Sequence, residues 1–483
     1  MFNYRMIFRF LGILLLLNGS LMVLCVPFAL VYNENLEYII LSAMATISTG
    51  GFFWVNNQRI TNKQLTKKDG YLIVTLGWLF MSLFGSLPYI LSGFIPNLTD
   101  AFFETISGFT TTGASILNNI EEAPKSLLFW RSLTQWIGGM GIIVLAVAIL
   151  PILGIGGMQL FVAEAPGISP DKMQPRIRET AKRLYFIYFM LTLAETLLLW
   201  LFGMSFYDAI NHALTTMATG GFSTRQDSIA YYTSPAIQYV IIVFMFFAGT
   251  NFTLTYFTLK GKLKNVWSNE EFRGYVSIII LVAVSSTIVV YLVSDEGFEK
   301  SFRDSLFQVI SVLTTTGYVT ADYTSWAPLL TVIFFLLMFL GGSAGSTAGG
   351  VKIVRHIVLF KNSILELKRQ LHPSAVIPVR LNGTAVPRDI TFNTLAFIMI
   401  YFSVFAFGSI AMALLGLDFE TAIGAVATSL GNIGPGIGEV GPIDNFANIP
   451  ATGKWVLSFL MLTGRLELFT VLMLFTPYFW KNV

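Results

Sequence analysis

The stretch DAFFETISGFTTTGAS, residues 100–115, returns three more times in altered lettering. It reads YDAINHALTTMATGGFS at 207–223, RDSLFQVISVLTTTGYV at 303–319 and FETAIGAVATSLGNIGPG at 419–436. Each copy is an apolar, helix-like run that passes into a short extended stretch rich in Thr and Gly. In the first three copies an acid opens the run (Asp100, Asp208, Asp304), and a glycine follows 13 residues later (Gly113, Gly221, Gly317). The fourth keeps the glycine, Gly434, but has Thr421 at the matching start, with Asp418 and Glu420 just upstream. Four copies of a helix that ends in a glycine-bearing strand predict four walls around one axis. Backbone carbonyls of such strands are able to replace the hydration shell of an ion.

The rest of the chain places those copies in a membrane. Of 483 residues, 54% are hydrophobic and only 12% charged, about half the charged share of a soluble domain. Apolar runs long enough to span fall near 9–32, 37–56, 71–94, 130–153, 181–203, 236–258, 275–293, 327–360, 392–416 and 454–478. A span needs about 20 apolar residues. The apolar parts of the four copies, near 100–110, 207–218, 303–314 and 419–430, are too short to cross and predict re-entrant pore helices. A non-helical return at membrane depth is tolerated only where it is buried in protein or lines water. The N-terminal run follows Arg5 and Arg9 as a signal peptide's would. It is too long for one and lacks a small-residue cleavage site, so it reads as a first transmembrane helix.

The fold class is therefore an all-α membrane protein, with an N-terminal helix pair and four helix–pore-loop–helix repeats around one pseudo-fourfold pore. The expected divisions are 1–69 for the pair and 70–165, 166–265, 266–375 and 376–483 for the repeats. Basic connections carry Arg59, Lys63, Lys67 and Lys68; Lys172, Arg176, Arg178, Lys182 and Arg183; Lys260, Lys262, Lys264 and Arg273; and Lys361, Lys368, Arg369, Arg380 and Arg388. The opposite side is acidic by comparison. The positive-inside rule then puts both termini in the cytoplasm and all four glycine strands outside. Topogenesis alone accounts for these basic loops, and no nucleic-acid partner is expected.

The candidate ion-binding residues are Thr111, Thr112 and Gly113; Thr219, Gly220 and Gly221; Thr315, Thr316 and Gly317; and Asn432, Ile433 and Gly434. Glycine permits backbone angles that other residues resist and leaves the axis open. The two carbonyls before each glycine are the natural inner ligands. Each pore helix points its negative dipole end at the strand, which favours a cation. Asp100, Asp208 and Asp304 read as caps of the pore-helix N-termini rather than ion ligands. A single Thr-Thr-Gly in a membrane protein is ordinarily a tight helix contact; four copies on one side are not explained that way. Enzyme chemistry has little to build on. There is one cysteine, Cys25, and three scattered histidines, His212, His356 and His372. No multi-cysteine metal site and no intrachain disulfide is possible.

Two further features stand out. Gly341, Gly342, Ser343, Ala344, Gly345, Ser346, Thr347, Ala348, Gly349 and Gly350 interrupt an apolar run. Five glycines would each cost a helix about 1 kcal/mol relative to alanine, so this segment is irregular. It is not a phosphate loop, because Lys352 comes one place late and no Ser or Thr follows. The other feature is Arg465 with Glu467 inside the last apolar run, where an ionisable residue is a functional candidate. Either Arg465 faces the ion path, or it pairs with a carboxylate such as Glu467 to lock helices.

With TTTGAS at 110–115, ATGGFST at 218–224, LTTTGY at 313–318, LGNIGPG at 430–436, GGSAGSTAGGVK at 341–352 and GRLE at 464–467, the sequence resembles the Trk/Ktr/HKT superfamily of potassium transporters. It is most similar to the TrkH/TrkG branch, whose extra N-terminal helix pair it shares. The resemblance covers essentially the whole chain. It implies potassium uptake across the bacterial inner membrane, with K+ held by the twelve strand residues as the transported ion and no organic cofactor. It implies that 341–350 is an intramembrane gate on the cytoplasmic side, with Arg465 nearby. It also implies a homodimer in membrane lipid, regulated by a cytosolic TrkA-type nucleotide-binding ring. Glycine in all four strands resembles potassium-selective members, whereas sodium-permeable plant relatives often carry serine where this chain has Gly113. An ion-coupled symporter for protons or sodium is the alternative, since broken helices and midplane sites occur there too.

Overall fold

The computed structural model describes residues 2–58, 66–144, 173–372 and 374–481. Arg59, Lys63, Lys172 and the end of the 130–153 apolar run lie outside these residues. The described residues are mostly helical. Six helices are long and apolar enough to cross a membrane, and eight if two sharply bent pairs each count as one span.

The chain opens with two packed helices. Tyr4–Met22 runs on through a short 3-10 turn into Val26–Val31, and Glu37–Asn56 returns against it. Small residues set their distance. A Cβ added to Gly12 would sit 2.7 Å from Gly50 O, and one on Gly50 would sit 2.9 Å from Gly12 O. Such approach is open only to small side chains.

Four units follow, each an outer helix, a short pore helix, an extended strand and an inner helix. The outer helices are Lys67–Gly85 with its continuation Leu87–Leu91, then Met173–Leu201, Glu270–Val293 and Arg388–Leu414. Their outward faces are apolar: Leu281, Leu292, Phe407 and Leu414 are all more than 70% exposed. That surface suits lipid and not water. The pore helices are Leu98–Phe109, Phe206–Met217, Phe298–Leu313 and Phe419–Gly431. At about 1.5 Å per residue none reaches across a hydrocarbon core of about 30 Å. They sit at the centre, with Phe103, Ala213, Phe307 and Ala425 wholly buried.

The inner helices begin at Lys125, Pro235, Pro328 and Ala451. The second bends by 115° between Ala248 and Phe252, and the fourth by 114° between Arg465 and Phe469. The third is only Pro328–Leu337, followed by an irregular segment and a new helix, Ile353–Leu371. The apolar run at 327–360 is thus not one span. A two-stranded antiparallel hairpin, Arg380–Leu381 with Thr384–Ala385, is the sole strand pairing among the described residues.

The capping expectation is corrected. The residues at the N-caps are Asn97, Ser205, Gly297 and Asp418. Asp100 and Asp208 lie three residues in, and Asp304 lies deeper still. Asp100 pairs with Lys454 at 2.6 Å, and Asp208 accepts from Thr224 at 2.6 Å and Arg225 at 3.2 Å. A carboxylate in the first turn gains from the helix dipole without occupying the cap, and sequence spacing does not distinguish the two positions.

Candidate functional site

All four pore helices end in the same way. Thr111 N–H donates to Gly108 O and Thr112 N–H to Ser107 O, both at 2.9 Å. The matching pairs are Thr219 to Thr216 and Gly220 to Thr215, Thr315 to Val312 and Thr316 to Ser311, and Asn432 to Ser429 and Ile433 to Thr428. This is the Schellman ending, in which the residue after the cap turns left-handed. That residue has φ of +54° at Thr111, +53° at Thr219, +56° at Thr315 and +55° at Asn432. Glycine is the usual occupant, and a β-branched residue there is a genuine outlier. Three threonines held left-handed in equivalent places mark stored strain, about 1–3 kcal/mol each.

Two residues on, each chain turns left-handed again at its glycine: Gly113, Gly221, Gly317 and Gly434, with φ between +75° and +105°. What lies beside these glycines fixes the arrangement. A Cβ on Gly113 would run into Gly220 O, one on Gly221 into Thr316 O, and one on Gly317 into Ile433 O. One on Gly434 would lie 3.0 Å from Thr112 O. The contacts run from the first repeat to the second, third, fourth and back to the first. The twelve candidate residues are brought into one closed ring, and its four glycines line a single cavity. Of the twelve carbonyls, only Gly220 O and Gly434 O accept a hydrogen bond from the described residues, from Gln135 at 2.6 Å and Thr428 at 2.8 Å. Buried carbonyls are normally paired. A ring that leaves ten of them free is equipped to ligate a cation.

Residues outside the strands brace this ring. Gln135 also accepts from Phe222 N at 3.1 Å, so it clamps the second strand from the first inner helix. Arg131 pairs with Glu104 at 2.7 Å, both buried, donates to Ser223 O at 2.9 Å and stacks on Phe222. Asn432 donates to Thr112 Oγ1 at 3.0 Å and to Met461 O at 2.9 Å, tying the fourth strand to the first. Tyr318 donates to His212 O, and Tyr323 to Gly436 O. Sequence reasoning missed all of these roles except that of Asn432 as a strand residue. The Glu104 and Arg131 pair carried a readable signal, since charges inside membrane segments seek partners.

The glycine-rich segment packs against the inner side of the ring. Gly349 N–H donates to Thr315 Oγ1 at 2.6 Å, and Thr347 Oγ1 donates to Met217 O at 2.9 Å. The segment also fills the break in the second inner helix: Ser343 N–H reaches Gly249 O, and Gly345 O accepts from Phe252 N–H. Arg465 donates to Thr347 O at 2.8 Å and to Gly138 O at 3.2 Å. It joins the segment to the first and fourth repeats. The alternative of an Arg465 pair with Glu467 is not realised. Glu467 pairs instead with Arg355 at 2.6 Å, whose guanidinium lies over Phe397.

Comparison with known proteins agrees with this architecture. The family model for TrkH, described as a cation transport protein, matches residues 36–481. The Trk system potassium uptake protein TrkH of Salmonella typhimurium is 42% identical, over 99% of this chain and all of the relative. The corresponding protein of Escherichia coli K12 is 41% identical over the same shares. The Trk system potassium uptake protein TrkG of Escherichia coli K12 is 34% identical, over 99% of each chain. The crystal structure of the potassium transporter TrkH from Vibrio parahaemolyticus superposes with a TM-score of 0.90 at 38% identity, covering 99% of this chain and all of that one. On its sequence and on its fold alike, the chain belongs to the TrkH family of cation transport proteins.

Proposed function

We propose that this transport protein carries potassium inward across the cytoplasmic membrane through the ring of strands at 111–113, 219–221, 315–317 and 432–434. The observation that carries the reading is the closed cycle of glycine-to-carbonyl contacts, which joins four strands of one chain into one ring. Carbonyls held on a braced ring replace water around a dehydrated cation at little reorganisation cost. The relatives named above are potassium uptake proteins, which supports potassium as the ion. Segment 341–350 acts as the gate, since it packs under the ring and is held there by hydrogen bonds with its own repeat and with the second and fourth.

The wider assembly belongs to the same proposal. The five divisions at 1–69, 70–165, 166–265, 266–375 and 376–483 act as one pore subunit with both termini cytoplasmic. The working form is a homodimer regulated by a TrkA-type nucleotide-binding ring. The test is a reversal-potential measurement on purified protein in liposomes, with potassium and sodium varied on the two sides. A reversal potential that follows the potassium gradient is expected. One that follows the sodium gradient, or strict coupling to protons, would defeat the reading.

A further inference from the structure

We infer that segment 341–350 and a cation at the innermost position of the ring compete, so that ion occupancy itself loosens the packed segment. The inference rests on the strands being the cation path. Four side chains, those of Thr111, Thr219, Thr315 and Asn432, mark the inner ends of the strands, and all are wholly buried. Their oxygens are used differently. Thr219 Oγ1 donates to the carbonyl of Ala218. Among the described residues, Thr111 Oγ1 and Asn432 Oδ1 have no hydrogen-bond partner. Thr315 Oγ1 takes Gly349 N–H at 2.6 Å. The innermost layer therefore holds two unclaimed oxygens and a third claimed by the segment itself. Buried polar atoms are seldom left unpaired, and a cation would engage all three.

The segment meets that layer with a backbone N–H. On three successive residues, Thr347 O is held by Arg465, Ala348 O is held by the Lys352 ammonium, and Gly349 offers its N–H to Thr315. An ion reaching Thr315 Oγ1 meets the positive end of that N–H, with two cationic side chains bound to the residues just before it. Charges interact far more strongly there than in water. The packing is tight as well: a Cβ on Gly349 would lie 2.7 Å from Gly431 O and 2.8 Å from Asn432 Cβ. Linkage makes the effect mutual. By whatever factor the seated segment weakens the inner ion, the ion weakens the hold of Thr315 on the segment.

Amide hydrogen exchange over residues 341–352, on the full-length protein in detergent without its regulatory partner, tests this. Exchange in potassium chloride is compared with exchange in N-methylglucamine chloride at equal ionic strength. About fivefold faster exchange in potassium is expected, the shift that the loss of one net hydrogen bond supports. Thr315→Val should exchange fast in both salts, and Thr315→Ser should behave as the unaltered protein does. Equal exchange in the two salts, in protein that calorimetry shows to bind potassium, would overturn the inference even if Thr315→Val failed to fold. Absence of any potassium binding would instead remove the reading of the strands on which it stands.

Discussion

At the scale of single residues, the left-handed Thr111, Thr219, Thr315 and Asn432 and the four glycines beyond them carry the site. Gly113 has φ of +81°, and any Cβ there is driven into Gly220 O. Gly113→Ser should therefore displace a carbonyl of the neighbouring repeat and admit sodium. The potassium-to-sodium permeability ratio should fall about tenfold, equivalent to about 1.4 kcal/mol of ion preference. An unchanged ratio in a well-folded variant would count against the strands as the selectivity site. Arg465 is the other decisive residue. It bonds two backbone carbonyls on different elements, Thr347 O and Gly138 O, and hydrogen bonds from a charged donor contribute about 1.5–3 kcal/mol each. Arg465→Ala should lower thermal stability in detergent and raise potassium flux into liposomes without the partner. Arg465→Lys, which keeps a charge but not the forked geometry, should fall between. A destabilised Ala variant with unaltered flux per folded molecule would mean that Arg465 is structural only.

At the scale of elements, the breaks in the inner helices are what make a gate available. Two inner helices bend by more than 110° and a third gives way to segment 341–350. The freed ends of the second are satisfied by the segment itself, through Gly249 O and Phe252 N–H. Deleting residues 345–349 should raise basal flux, at some loss of stability because those ends lose partners. Protein that inserts and purifies normally yet conducts no more than before would show that the segment is a support. The N-terminal pair makes a contrasting case. Gly12→Val places a branched side chain against Gly50 O and should cost about 1–3 kcal/mol through overpacking. Flux per folded molecule should stay the same, because the pair contacts no strand of the ring through those positions.

At the scale of the whole molecule, orientation decides which way the ring faces. Charge bias predicts both termini inside. With Cys25 replaced by serine, single cysteines near residues 3 and 481 should resist a membrane-impermeant maleimide in intact cells and label after lysis. One near Glu439, beyond the fourth strand, should label in intact cells; the reverse pattern would invert the topology. The sequence was sufficient for the helical membrane class, and it marked the four repeated segments that the fold brings together. Each of these follows from local composition, from the length of an apolar run or from a spacing of 13 residues, and local interactions fix such features. It was not sufficient for the partners. Cap placement went to Asn97, Ser205, Gly297 and Asp418 because first-turn and cap positions share a composition. Glu467 chose Arg355, 112 residues away, over its near neighbour Arg465. Gln135 and Arg131 found their carbonyls across repeats, and Asn432 found the Thr112 hydroxyl. Such pairings depend on where the bent helices bring remote backbone to a buried polar atom, and that is set only when the four repeats close their ring.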